Sequence, residues 1–188
     1  RGVAELTGLP YDPADEAAVD RLVEALGPAR RFVGATLRTT ANPTRLTAGY
    51  KTNVVPGRAS AEIDVRFLPG EDDAARATVA ELAGPGVRVE EIHTDVALET
   101  PFAGSLVDAM AGALVAEDPG AVVLPYALSA GTDNKSLSRL GTTGYGFAPV
   151  RLPAGMDFTA MFHGVDERIP LDALRFGTRV LARLVATC

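Results

Sequence analysis

His163 lies in Met161-Phe162-His163-Gly164-Val165-Asp166-Glu167-Arg168, with Gly beside it and carboxylates three and four residues on. A histidine so placed can ligate a metal, act as a general base, or sit on the surface and help to start the next helix. The only other histidine, His93, stands beside Asp95 at the end of an alternating stretch and reads as an ordinary surface or core residue. Leu128-Ser129-Ala130-Gly131-Thr132-Asp133-Asn134-Lys135 is a small-residue turn ahead of a short helix. Its backbone N–H groups and hydroxyls suit a carboxylate or an oxyanion, although small residues also serve as plain helix caps. Ser129 lacks the Gly-x-Ser-x-Gly setting of a nucleophile elbow. Asn53 and Arg66 form the third feature. An amide can donate to a carbonyl and a guanidinium can grip a carboxylate through two bonds, while Arg66 can equally be a solvated strand-face charge.

Zinc needs three or four N, O or S ligands converging at about 2.0–2.3 Å. The sequence has no His-Glu-x-x-His, no His-x-Asp and no cysteine cluster, and its one cysteine is Cys188. His163 is the single credible ligand, so metal chemistry would have to draw on residues outside these 188. One cysteine makes no internal disulfide, and a cytoplasmic location is the default expectation. The net charge of −6 disfavours nucleic acid, and no apolar run approaches the length of a bilayer span. A composition that is 47% hydrophobic and 22% charged supports a packed core.

The elements that would position these residues follow from periodicity. Asp12–Asp15 starts a helix that carries Val19, Leu22, Val23 and Leu26 and stops at Gly27-Pro28. Alternation predicts strands at 32–38, 46–51 and 59–68, with Pro56-Gly57 marking the turn between the last two. A helix is expected over 71–83, with Asp72 and Asp73 at its positive end, and a strand from Val87 to His93. This order describes a small antiparallel sheet with helices. Beyond residue 97 the pattern changes to a helix at 103–116, a strand at 121–124, a short helix at 135–140, a strand at 144–147 and a closing helix at about 170–186. Alternating strands and helices suggest an α/β layer.

Three segments occur together and in order. Tyr50-Lys51-Thr52-Asn53-Val54-Val55-Pro56-Gly57 running on to Arg66-Phe67-Leu68-Pro69 resembles the lid-domain signature of the zinc-dependent aminoacylase, carboxypeptidase G and dipeptidase family. Ser129–Lys135 resembles its Ser-Gly-Gly-Thr-Asp-x-Lys loop, with Ala130 in place of a glycine, and Phe162–Glu167 resembles its last metal-ligand motif. The resemblance implies a ferredoxin-like lid or dimerisation domain over 1–97, joined to a partial α/β catalytic domain over 98–188. It implies that His163 is the final ligand of a two-zinc centre. Asn53, Arg66, Gly131 and Thr132 would bind the substrate, a peptide or N-acyl amino acid, with Arg66 on its carboxylate. The family's remaining ligands and its general base have no counterpart here. The expectation is therefore the C-terminal half of a metallohydrolase, inactive and zinc-free by itself and dimeric through the lid. The alternative is a stand-alone binding or dimerisation module without catalysis.

Overall fold

The structure is a computed structural model that describes residues 1–187, so Cys188 lies outside the described residues. The chain divides into two compact units, Ala35–Glu99 and the remainder on either side of it. The sequence reading differs in placing residues 1–34 with the first domain. Contacts made by those 34 residues instead group them with residues from Thr100 onward.

The Ala35–Glu99 unit is built on one hairpin. Strand β1 (Thr40–Ala48) pairs antiparallel with β2 (Ala59–Arg66), from Thr40 opposite Arg66 to Ala48 opposite Ala59. The ladder shifts register between Pro43 and Arg45, leaving Thr44 as an extra residue on β1. Proline offers no N–H to a ladder and is tolerated at such bulges. The bulge also corrects the pattern of faces. Thr40 and Asn42 lie with Asp64 and Arg66, and beyond the bulge Arg45 and Thr47 lie with Glu62 and Ser60. Without the extra residue, Arg45 would turn to the face that carries Ile63 and Val65. One face is therefore polar throughout, and the other is lined by Ala41, Pro43, Leu46, Ala48, Ala61 and Ile63. Leu46 is 78% exposed on that apolar face.

Helix α4 (Asp72–Ala83) follows, with Asp72 and Asp73 in its first turn and Gly84 ending it at φ 73°. The hydroxyl of Thr39 donates to Glu71 at 2.6 Å and accepts from the Leu68 N–H at 3.0 Å, tying the open end of the hairpin to the start of α4. Arg76 on α4 reaches Glu91 at 2.6 Å and lies 5.5 Å from the Phe67 ring centre. The expected strand at Val87–His93 is absent from the described structure. Its side chains hold it instead, because Glu91 bonds Arg76 and accepts from Thr94 at 2.6 Å.

The other unit contains α1 (Gly2–Thr7), α2 (Glu16–Glu24), α3 (Arg30–Gly34), α5 (Ser105–Glu117), α6 (Asn134–Ser138) and α7 (Leu171–Thr187). Asp15 caps α2 by accepting from the N–H groups of Ala17 and Ala18 at 2.9 and 3.2 Å. The strand expected at 32–38 is replaced by α3. A 3₁₀ turn over Gly27–Ala29 runs straight into that helix, and Phe32 stacks on Tyr126 at 4.1 Å. The core lies between α5 and α7, where Ala113, Phe176 and fully buried Val180 pack with Leu114, Phe147 and Leu184. Glu117 closes this interface. Its carboxylate accepts from Arg179 at 2.7 Å and Arg183 at 2.5 Å, one turn apart on α7.

No strand forms at 121–124 or 144–147 among the described residues. A strand needs a neighbouring backbone to pair with, and these segments are fixed by other means. Tyr145 donates its hydroxyl to the carbonyls of Pro101 and Ala103, and Phe147 packs into the core. The observed architecture is thus an α+β unit with a two-stranded antiparallel sheet and a mainly helical unit.

Candidate functional site

Arg66 closes β2, and its guanidinium is held by Asp64 two residues back. Arg66 Nε donates to Asp64 Oδ1 at 3.0 Å and Oδ2 at 2.8 Å, and Nη2 donates to Oδ2 at 2.6 Å. Residues two apart on a strand share a face, which is why these two side chains meet. Asn53 lies in the ten-residue loop 49–58 at the other end of the hairpin, where the N–H of Val54 donates to the Lys51 carbonyl. Seven strand steps separate Ala59 from Arg66, so the ladder alone spans roughly 23 Å between loop and arginine. The two residues thus belong to opposite ends of the hairpin. A groove at the hairpin tip is lined by residues of Thr47–Tyr50 and Pro56–Ser60, and none of the five candidate residues lines it.

Gly131, Thr132 and His163 belong to the other unit. Gly131 and Thr132 precede α6 on an exposed turn, where Thr132 gives its carbonyl to the Lys135 N–H at 3.1 Å. Space around the Gly131 Cα is open, so its backbone is approachable. Asn134 packs against the Cα of Gly144 with no room for a Cβ there, which anchors the turn to 144–147.

The His163 loop is tightly shaped. Asp157 accepts from the Ala160 N–H and the Thr159 hydroxyl, both at 3.1 Å, and sets a short 3₁₀ turn, Thr159–Met161. Phe158 and Phe162 meet edge to face at 5.0 Å. His163 then takes φ 58°, and it is the single non-glycine residue with positive φ among the described residues. A histidine tolerates that region better than most side chains, but at a cost. The turn closes with the Gly164 N–H on the Met161 carbonyl at 2.9 Å. Glu167 accepts from the backbone N–H of His163 at 3.2 Å, and Asp166 pairs with Arg168. The two carboxylates that follow His163 are thus used to shape the loop.

Among the described residues, no three His, Cys, Asp or Glu side chains are grouped so as to hold a metal ion. The donors present do not fit a zinc centre, and His163 remains a lone candidate ligand. No described helix is long and apolar enough to cross a membrane.

Comparison with known proteins shows what these parts are similar to. Residues 10–87 match the family model described as a peptidase dimerisation domain. Aminoacylase-1 of Homo sapiens is 30% identical over 156 residues, covering 78% of this chain and 36% of its own length. Both findings support a relationship to the aminoacylase and peptidase family. Aminoacylase-1 of Pongo abelii matches with the same identity and coverage. The chain therefore spans 36% of the length of these curated relatives. No solved structure gives a significant match. The family match begins at residue 10 and so crosses the boundary that contacts place at Gly34.

The sequence reading passed over Asp64. Its signal was present in Asp64-Val65-Arg66, an acid and a base on the same strand face.

Proposed function

We propose that this chain is part of a metal-dependent hydrolase that cleaves an amide or peptide bond next to a free carboxylate, as in an N-acyl amino acid or a dipeptide. The observation that carries the reading is the identity to Aminoacylase-1 across 78% of the chain. In this reading Ala35–Glu99, with the preceding residues matched by the family model, serves as a ferredoxin-like lid, and the C-terminal residues are part of an α/β catalytic domain.

Arg66 takes the substrate carboxylate. Its planar fork supplies paired N–H donors on an exposed polar sheet face, which suits a carboxylate better than a lysine would. Gly131 and Thr132 contribute backbone and hydroxyl donors to the substrate. Asn53, in the loop at the other end of the hairpin from Arg66, serves the site of a second copy in a homodimer. His163 is one ligand of a zinc centre whose other ligands lie outside this chain. Metal in this family would supply a polarised carbonyl and an activated water.

A second reading, a dimerisation module without catalysis, is favoured by the match of residues 10–87 to a dimerisation domain alone. The test is to purify the protein from its native source, measure its intact mass, and assay release of free amine from N-acetyl amino acids. Hydrolysis that is abolished by chelator and restored by zinc supports the first reading. A protein of 188 residues with no hydrolysis supports the second.

A further inference from the structure

On the polar face of the hairpin Glu62 is committed to Arg45, which it meets across the ladder at 3.1 Å. The next residues toward the hairpin tip on that face are Thr47 and Ser60, directly opposite each other in the ladder. Alternation carried one step beyond the strand places Arg58 with them. Among the described residues, the side chains of Thr47, Arg58 and Ser60 have no hydrogen-bond or ion-pair partner. The loop of residues 49–58 contains Lys51 and Arg58 and no Asp or Glu. The tip is therefore locally cationic on a chain whose net charge is −6.

Thr47, Arg58 and Ser60 also line the groove at this tip, which has a volume of about 300 Å³. Tyr50 and Pro56 line it as well and supply apolar surface, and Tyr50 is 86% exposed. Gly49 takes φ 72°, and a Cβ there would lie 3.1 Å from the Pro56 ring. Glycine thus accepts the turn and lets Pro56 come close to the end of β1.

We propose that this groove binds a small organic carboxylate, held by Arg58 with the Thr47 and Ser60 hydroxyls, its apolar part lying on Tyr50 and Pro56. A guanidinium offers paired N–H donors to a carboxylate. Hydroxyls on opposite cross-strand residues, whose Cβ atoms stand about 4.5–5.5 Å apart, can donate to the same anion. One cation lines the groove, so a singly charged anion matches it better than a phosphate carrying about −1.5 to −2. The volume lies at the lower end of the range for small-molecule sites, about 300–1,000 Å³, and suits one ring or a short chain. The site shares no residue with those assigned to hydrolysis and does not depend on their roles.

The test is titration of the 188-residue chain in about 0.15 M salt, where charges beyond about 8 Å are screened. Benzoate is the probe, benzamide its uncharged counterpart, and inorganic phosphate the competing oxyanion. The readout is the ¹⁵N NMR signals of the Gly49 and Gly57 amides and of the Arg58 Nε–H. Benzoate should shift these signals saturably, with a dissociation constant on the order of 1 mM, and benzamide should not. Arg58→Gln should weaken benzoate about tenfold or more and Ser60→Ala about threefold. Lys51→Gln, which changes a charge outside the groove, should stay within about twofold of wild type. The other hairpin amide signals should keep their positions in all three variants, since none of these side chains is buried. Shifts that rise linearly with benzoate, or that benzamide reproduces, overturn the site. An equal loss in Lys51→Gln and Arg58→Gln reduces it to a diffuse cationic tip and overturns it too. Phosphate binding more tightly than benzoate overturns the assignment to a carboxylate.

Discussion

Gly177 on α7 lies against the carbonyl oxygen of Pro149 so closely that a Cβ on residue 177 would overlap it. In an isolated helix, replacing glycine with alanine gains about 1 kcal/mol. Here the obstacle is backbone, which cannot rotate aside as a side chain can. Gly177→Ala should therefore destabilise the chain by about 1–3 kcal/mol, the usual range for overpacking. Val180→Ala, beside it in the core, should cost about 2–3 kcal/mol by lost burial and a residual cavity. Urea denaturation checks both. A raised midpoint for Gly177→Ala would show that α7 and Pro149 are not in this contact.

Acid should loosen the α5–α7 interface before it affects the core itself. Hydrogen bonds from Arg179 and then Arg183 hold the Glu117 carboxyl below its ordinary range. Glu91 is also lowered, by Thr94 and then Arg76. A carboxyl whose pKa is depressed on folding contributes stability that is present above its unfolded value, about 4.3, and lost as pH falls through the folded value. The thermal midpoint of wild type should therefore fall steeply below about pH 4.3. Glu117→Gln should flatten that fall, with its largest deficit at neutral pH. Parallel curves for the two proteins would remove Glu117 from the account.

Local signals were legible in the sequence, and pairings were not. Asp15 announced α2, and the acidic turn ahead of Gly84 announced α4. The apolar stripe of α7 placed that helix within a residue or so of where it is found. Residues 32–38 and 144–147 were misread as strands because an alternating run becomes a strand only when a partner backbone pairs with it. Tyr126 and the α5–α7 core claimed Phe32 and Phe147 instead. The Thr44 bulge was invisible for a related reason, since it is a property of two strands in register. Arg66 and His163 stand as candidates on motif order alone, whereas Asp64 gripping Arg66 and the left-handed backbone at His163 needed coordinates.

His163 sits in a conformation that glycine adopts without cost. His163→Gly should leave the stability of this chain within about 1 kcal/mol of wild type, relief of strain offsetting the greater freedom of the unfolded glycine. Calorimetric titration of the wild-type chain with zinc should show no stoichiometric sub-micromolar site, because no cluster of ligands surrounds the histidine among the described residues. In the proposed zinc hydrolase the same substitution should lower both zinc content and turnover. Full zinc content in that variant would exclude His163 as a ligand.

The apolar face of the hairpin predicts self-association. Leu46 and Ile63 project from it and are exposed, within a domain whose family is described by dimerisation. Sedimentation at tens of micromolar should show a dimer, and Leu46→Lys with Ile63→Lys should shift it toward monomer while the helical signal holds. A clean wild-type monomer at that concentration would count against the dimeric arrangement proposed for Asn53.

Arg66 provides the sharpest test of the proposed chemistry. In the proposed hydrolase, Arg66→Ala should remove the two-point contact assigned to the substrate carboxylate, worth about 1.5–3 kcal/mol, or roughly ten- to a hundredfold. The loss should fall on kcat/KM for a substrate bearing a free carboxylate. It should be much smaller for the corresponding amide, which offers Arg66 no anion. Metal content should not change, because Arg66 stands on a strand and belongs to no cluster of ligands. Arg66→Lys should recover little, since an ammonium cannot reproduce the fork. An equal loss on carboxylate and amide substrates would reassign Arg66 to the strand itself, as the partner that keeps Asp64 neutralised at the open end of the hairpin.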